Sequence, residues 1–154
     1  MEDDFDFVGQ GDHAALLALS TVDALTMAKA DLAELGYKIH AVHTNEQFEG
    51  RYHLVNYHVV IIEETFAGSS TFDNPSLRLI QSMPMPLRRH ATIFLVGEGY
   101  ETMNAMQAFA QSVHCVINYA NLNMLSQIVQ KTVAENDLFL STYRETQNRV
   151  LHKR

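Results

Sequence analysis

The stretch Tyr57-His58-Val59-Val60-Ile61-Ile62-Glu63-Glu64-Thr65 restricts the possible folds more than any other part of the chain. A strand with one wet face alternates apolar and polar residues. Four β-branched apolar residues in a row leave no wet face, so this strand belongs in the middle of a parallel sheet covered on both sides. Two carboxylates stand where it stops. In open α/β sheets, sites collect at the carboxyl ends of the strands. Glu63 and Glu64 are therefore the first residues whose neighbours matter.

Around this strand the chain alternates. Residues 14–19 read as a strand. A helix over about 22–35 follows, with Ser20 and Thr21 offering hydroxyl caps, a stripe of Ala24, Leu25, Ala28, Leu32 and Leu35, and Gly36 at a left-handed C-cap. Residues 38–43 form a second strand. Thr44-Asn45-Glu46-Gln47 is a capping box that opens a weak helix to about residue 54, interrupted by Gly50. The loop over 63–74 is long enough to be functional or mobile. Asn74-Pro75 starts a helix over 75–82, which Met83-Pro84-Met85-Pro86 ends. Residues 91–96 read as a strand. A helix over about 102–112 follows, with Met103, Met106, Phe109 and Ala110 on one side. His114-Cys115-Val116-Ile117-Asn118 is a fifth strand. A final helix from about 122 to 150 has the stripe Leu125, Ile128, Val129, Thr132, Val133, Asn136, Phe139, Leu140 and Tyr143. This βαβαβαβαβα order implies a parallel sheet with helices on both faces.

The chain has 154 residues, 47% hydrophobic and 19% charged, enough for one domain with a sizeable core. Residues 1–12 carry five acidic groups and two glycines and read as a loose acidic arm from which Phe5, Phe7 and Val8 could dock; residues 13–154 read as a single domain. No apolar run approaches the roughly 18 residues a membrane helix needs, and the acidic start is unlike an export signal, so a cytoplasmic location is expected. The net charge of −7 argues against a nucleic-acid surface. Arg88-Arg89-His90 reads as a solvated loop. The basic end, with Arg144, Arg149 and His152-Lys153-Arg154, reads as a helix C-terminus. The single cysteine, Cys115, rules out a disulfide framework and a multi-cysteine zinc site, and it reads as a buried inert thiol. His40 and His43 are three apart on a strand and so face opposite ways. They and His53, His58, His90 and His114 read as surface or edge residues. Gly97-Glu98-Gly99 and Gly9-Gln10-Gly11 need be no more than turns. No cofactor is implied.

Five βα units with this spacing resemble the receiver domain of bacterial two-component response regulators, over roughly residues 14–133. The likeness lies in the Tyr-His-Val-Val-Ile-Ile-Glu strand and in Ala105-Met106-Gln107-Ala108-Phe109-Ala110 leading into His114-Cys115-Val116-Ile117-Asn118. More narrowly, Asn74-Pro75, Met83-Pro84-Met85 with Arg88-Arg89, and Phe109-Ala110-Gln111-Ser112-Val113 look like a receiver-like family sometimes found behind a zinc ribbon, which this chain lacks. The resemblance implies a flavodoxin-like, doubly wound five-stranded sheet of order 2-1-3-4-5. It also implies a pocket of five groups. The acidic pair after the first strand would fall at Ser20 and Thr21, and the nucleophilic Asp at Glu63. The Thr or Ser ending the fourth strand would fall at Val96, and the Lys ending the fifth at Asn118. All five are replaced, which describes a degenerate, or pseudo-, receiver. Two hydroxyls do not substitute for two carboxylates in holding Mg²⁺. Glutamate also displaces the attacking oxygen by about 1 Å relative to aspartate. No phosphorylation and no enzymatic activity are expected.

Glu63 has two readings: a carboxylate solvated at the strand end or capping the next turn, or a mimic of a phosphorylated aspartate. Glu63, Glu64 and Glu98 could together form a cation crevice. Ser20, Thr21, Glu63, Glu98 and Asn118 could bind a small polar molecule, which gives a ligand-sensing alternative. The expected function is signalling through protein contacts, with a protein partner or a homodimer and neither nucleic acid nor membrane. The receiver resemblance places the contact face on the fourth and fifth helices and the fifth strand, at Asn104, Gln107, Tyr119, Gln127, Lys131 and Tyr143, with Phe139 on the same final helix. A receiver's last helix usually ends near Ala134. Here it runs on by roughly 20 Å, and Phe139, Leu140, Tyr143, Val150 and Leu151 project past the core. That overhang either folds back or frays, or it buries against a second chain or an output partner.

Overall fold

The computed structural model describes residues 8–9, 11–70, 72–88 and 90–152. The expected docking residues Phe5 and Phe7, the basic Arg89 and the side chain of Leu151 lie outside what it describes. Five parallel strands form one sheet in the order β2-β1-β3-β4-β5, with β1 Ala14–Ala18, β2 Lys38–Ala41, β3 Val59–Glu63, β4 Thr92–Val96 and β5 Cys115–Ile117. The helices are α1 Val22–Glu34, α2 Asn45–Leu54, α3 Pro75–Ser82, α4 Met85–Arg88, α5 Ala105–Ala110 and α6 Leu125–His152. This is the expected flavodoxin-like fold with an extended last helix.

The period-2 geometry of strands divides the core in two. Leu16, Val60, Ile62, Ile93, Leu95 and Val116 point to one face, where Phe48, Tyr57, Leu77 and Ile80 cover them. Leu17, Val59, Ile61, Phe94, Val96 and Ile117 point to the other, under Ala24, Ala28, Leu32, Leu125 and Val129 of α1 and α6. All of β3 is buried, as its unbroken apolar run demands.

Local chemistry sets most element ends. The Thr44 hydroxyl accepts from the Gln47 N–H, while Gln47 Oε1 accepts from His43 N–H, so the capping box is closed one residue early. Gly36 adopts φ +92°, the left-handed conformation that ends α1. Asn74 caps α3, accepting from Leu77 N–H at 3.0 Å, and its amide also donates to the carbonyls of Glu63 and Glu64. The 63–74 loop is thereby fastened, and it carries a short 3₁₀ turn at Phe66–Gly68.

The structure corrects several local expectations. The prolines after Ser82 stop α3, yet a new helical turn, α4, begins at Met85, because Pro86 falls in a first turn where no N–H is needed. Arg88 is not a solvated loop residue: its Nη1 donates to the Ile80 carbonyl at the end of α3. The fourth major helix is shorter than 102–112. Asn104 caps it, and Met103 and Ser112 stand outside it with φ of +64° and +56°. Its Ala108 faces the core, while Met106 and Phe109 are 76% and 82% exposed. His40 lies on the edge strand but is fully buried, its Nδ1 2.7 Å from the Tyr57 hydroxyl. Cys115 is buried, and burial pushes its thiol pKa up.

The final helix begins at Leu125 rather than Leu122, after a 3₁₀ turn over Tyr119–Met124, and runs for 28 residues. Asn136 Nδ2 donates to Thr92 Oγ1 and ties it to the start of β4.

Histidines gather at the N-terminal edge of the sheet. The rings of His13 and His58 stack at 4.3 Å. Burial, then the neighbouring His13 and His90, lower the His58 pKa against an opposing pull from Asp137. His114 Nδ1 accepts the Ile93 N–H at 2.9 Å and can do so only unprotonated. A histidine held below its ordinary 6.5 favours the neutral form in the fold. Its contribution is therefore complete above that pH and declines as pH falls through it. Thermal unfolding followed from about pH 7.5 to about pH 5.5 should show Tm falling by about 3–6 °C, and His58→Asn should remove much of the dependence. A flat profile in the wild type would contradict this account of the edge.

Candidate functional site

At the carboxyl ends of the strands the dominant feature is Glu63, the last residue of β3. It is 0% exposed. β1 and β3 pair in parallel, with Ala18 opposite Ile62, so the Glu63 side chain reaches the segment leading into α1. There Oε1 accepts the backbone N–H groups of Ser20 at 2.6 Å and Thr21 at 3.0 Å. Oε2 accepts the hydroxyls of Thr21 and Tyr119.

This overturns the reading of Glu63 as solvated or as capping the turn that follows it. The carboxylate instead closes the N-terminus of a helix more than forty residues earlier. Free N–H groups and the helix dipole favour an anion there. It also accounts for a failed expectation at α1. Thr21 occupies the N-cap position, but its side chain accepts no cap bond: the hydroxyl is turned toward Glu63, to which it donates. Ser20 Oγ accepts the Ala67 N–H at 2.9 Å and pins the loop after β3. Burial pushes the Glu63 carboxyl pKa up. Hydrogen bonds from the Thr21 and Tyr119 hydroxyls and from the Thr21 and Ser20 N–H groups outweigh it and hold the carboxyl below its usual value. Burial and then the bond to Glu63 raise the Tyr119 phenol pKa, so it stays a donor.

The other expected pocket positions are used structurally. Val96 pairs with Glu63 across β3 and β4, and its side chain is buried in the core. Asn118 donates to the carbonyls of Glu98 and Tyr100 and accepts the Ala120 N–H, holding the turn after β4 against the end of β5. Glu64 lies beside Tyr100, whose phenol is pushed up to about 12 by burial and by the Glu64 carboxylate. A Cβ on Gly97 would sit 2.7 Å from Glu64 Oε2 and 2.8 Å from the Tyr100 ring, so only glycine allows this packing. Glu98 is exposed. Among the described residues, no three His, Cys, Asp or Glu side chains gather so as to hold a metal ion.

The structure thus unites Ser20, Thr21 and Glu63 and adds Tyr119, which the sequence placed on the contact face. A tyrosine 56 residues from Glu63 gives no local signal of this role. Of the other expected contact residues, Asn104 caps α5 and Gln107 Oε1 accepts the Glu101 N–H. Gln127, Lys131, Phe139 and Tyr143 are exposed on α6.

No protein-family model matches the sequence. No characterised protein matches it by sequence either. Solved structures do match by shape. A CheY-like receiver domain protein of Methanospirillum hungatei superposes with a TM-score of 0.64 at 12% identity, covering 82% of this chain and 98% of its own. The chemotaxis response regulator CheY4 of Vibrio cholerae gives 0.63 at 11% identity, covering 79% and 98%. HP1043, an orphan response regulator of H. pylori, gives 0.60 at 14% identity, covering 81% and 99%. The fold is that of a receiver domain. At these identities the likeness establishes shape and leaves function to the site. Among the described residues, no helix is long and apolar enough to cross a membrane.

Two substitutions test the site. Tyr119→Phe removes one hydroxyl from a buried carboxylate and should cost about 1.5–3 kcal/mol in urea unfolding. It should also raise the Glu63 pKa, read by carbon-13 titration of its carboxyl. Because that pKa is depressed in the fold, the stability it confers is present above the ordinary 4.5 and disappears as pH falls through the folded value. Unchanged stability together with an unchanged titration would remove Tyr119 from the site. Gly97→Ala should cost about 1–3 kcal/mol through overpacking against the Tyr100 ring, measured the same way.

Proposed function

We propose that this chain is a pseudo-receiver: a non-catalytic signalling module that is not phosphorylated and works through protein contacts. One observation carries the reading: both oxygens of Glu63 are already committed to the chain's own donors. A phosphoacceptor needs a carboxylate oxygen free to approach phosphorus in line, with metal and cationic groups to neutralise the charge. Here Ser20 and Thr21 stand where the metal-holding carboxylates would be, and Asn118 stands where the lysine would be. Tyr119 donates into the remaining space. The carboxylate occupies the place of an incoming anion, and the loops around the strand ends are set by it.

Signalling then depends on surfaces rather than on turnover. The expected contact positions Gln127, Lys131, Phe139 and Tyr143 are accessible, and Met106 and Phe109 join them from α5. Exposed large apolar groups of this kind mark interaction faces on soluble domains.

The test is treatment with Mg²⁺ plus acetyl phosphate, and separately with Mg²⁺ plus beryllofluoride. Intact-mass analysis should show no phosphoryl adduct, and amide NMR spectra should show no shifts at Ser20, Thr21, Glu63 or Tyr119. An adduct on Glu63, or a beryllofluoride-dependent spectrum, would replace this reading with an active receiver.

A further inference from the structure

The last helix carries more apolar surface than its own domain covers. Leu125, Val129, Thr132 and Asn136 follow one another along α6 at steps of four, three and four residues, and all four are buried. Phe139, Tyr143, Thr146 and Val150 continue the same alternation of threes and fours, and none of them is buried. A stripe that repeats every seven residues is the seam of a helix pair. Over the first half of α6 the domain itself stands where the second helix would be. The helix leaves the core after Leu140, which is 4% exposed, and every residue from 141 to 150 is exposed.

The open half of the seam lies beside a groove of about 510 Å³ at the amino end of the sheet, with Met85, Phe109, Phe139 and Tyr143 among its walls. Phe109 is 82% exposed, Phe139 64% and Val150 67%. These three, with Tyr143 and Met85, leave about 500 Å² of apolar surface in water, taking roughly 150–250 Å² for a whole aromatic side chain. One partner's share of a standard interface is about 800 Å², of which about two-thirds is apolar in a homodimer. The exposed surface therefore matches one side of a stable dimer.

We infer that a second copy of this chain covers it, the two α6 overhangs packing antiparallel with Phe139 of each beside Val150 of the other and Tyr143 beside Thr146. This names the partner behind the proposed contact role and rests on that reading. Sterics set the direction. The seam faces the domain over 125–136, so a parallel second helix in the same register would run into the sheet and helices already there. An antiparallel helix crosses beyond the domain's edge, and its tip comes to the groove of the other copy. The overhang from Phe139 to His152 is about 20 Å long, enough for four layers of facing side chains. Charge does not oppose the pairing. Arg149 is paired with Glu145 on its own helix at 3.2 Å, and Thr142 and Gln147, which flank the seam, are neutral. Every contact occurs twice about a two-fold axis between residues 144 and 145, so the assembly closes at two chains.

Light scattering on the full chain over a micromolar concentration series should show a monomer–dimer equilibrium. Val150→Asp and Tyr143→Asp each put a charge into the seam from an exposed position, and each should raise the dimer Kd by about tenfold or more. Ser141→Asp, on the opposite side of the helix, should leave it unchanged. Disulfide formation reads the direction, since Cys115 is buried and does not compete. Tyr143→Cys mixed with Thr146→Cys should cross-link faster than either variant alone. A wild-type monomer throughout the series, a dimer indifferent to both seam substitutions, a dimer dissolved equally by Ser141→Asp, or faster cross-linking of Thr146→Cys with itself would each overturn the proposal. A monomer would leave the reading of Glu63 standing, because intact-mass analysis after acetyl phosphate decides that separately.

Discussion

The strand-end architecture depends on one buried carboxylate. Glu63 has no exposure, and an ionised carboxylate in that position is tolerable only when its lone pairs are filled. Four donors fill them, and each comes with a piece of chain attached. The N–H groups of Ser20 and Thr21 bring the start of α1, and the Thr21 hydroxyl fixes the entry of that helix. Tyr119 brings the 3₁₀ turn that links β5 to α6. Ser20 Oγ, held beside the carboxylate, brings the loop at Ala67. Two connections that are far apart in sequence therefore meet on a single anion, and the loop at Ala67 is tied to them through Ser20 Oγ. Loss of any one donor leaves charge uncompensated in the interior, a larger penalty than the loss of an ordinary hydrogen bond.

The identity of the residue matters to this arrangement. The start of α1 presents two unsatisfied N–H groups at the positive end of the helix dipole. An anion supplied from β3 must cross from one strand to its neighbour to meet them. Glutamate is one methylene longer than aspartate. The extra reach, about 1 Å, favours contact with a neighbouring helix end, and it lets the side chain serve a structural purpose. Nearby, Glu64 is held beside Tyr100 in a space that exists because Gly97 has no side chain. Both carboxylates at the end of the central strand are therefore matched with a phenol, Tyr100 from the segment after β4 and Tyr119 from the segment after β5.

Much of the fold was legible because strand burial writes itself into the sequence. Val59 to Ile62 has no polar position, and the parallel sheet buries both of its faces. Gly36, Thr44 and Asn74 mark helix ends by local chemistry that needs no tertiary context. The misreadings arose where tertiary contacts outweighed local signals. Ser20 and Thr21 have ideal capping side chains, but a distant carboxylate claims the Thr21 hydroxyl and a loop N–H claims that of Ser20. Met106 and Phe109 have helical spacing that suggests a core face. With the cap at Asn104, however, the short helix α5 turns Ala108 inward and the larger pair outward. Asn118 and Tyr119 are adjacent in sequence but have separate tasks, one tying the β4 turn and the other closing the Glu63 shell. Nothing in periodicity or spacing distinguishes them.

The two ends of the sheet follow opposite physical logic. At the carboxyl end, polar groups are buried and mutually satisfied, so the surface there offers little unmet hydrogen-bonding capacity around Glu63. At the amino end, apolar groups stand in the open: every side chain of α6 from 141 to 150 is exposed, and Phe109 and Phe139 face a groove. A helical stretch of about 12 residues is marginal in water without packing. The overhang gains from remaining continuous with a well-packed stem, and its apolar face gains further from any segment that covers it. The carboxylate and its donors hold the carboxyl end in place, whereas the apolar surface left in water, Phe109 and Phe139 above all, collects at this amino end and along α6.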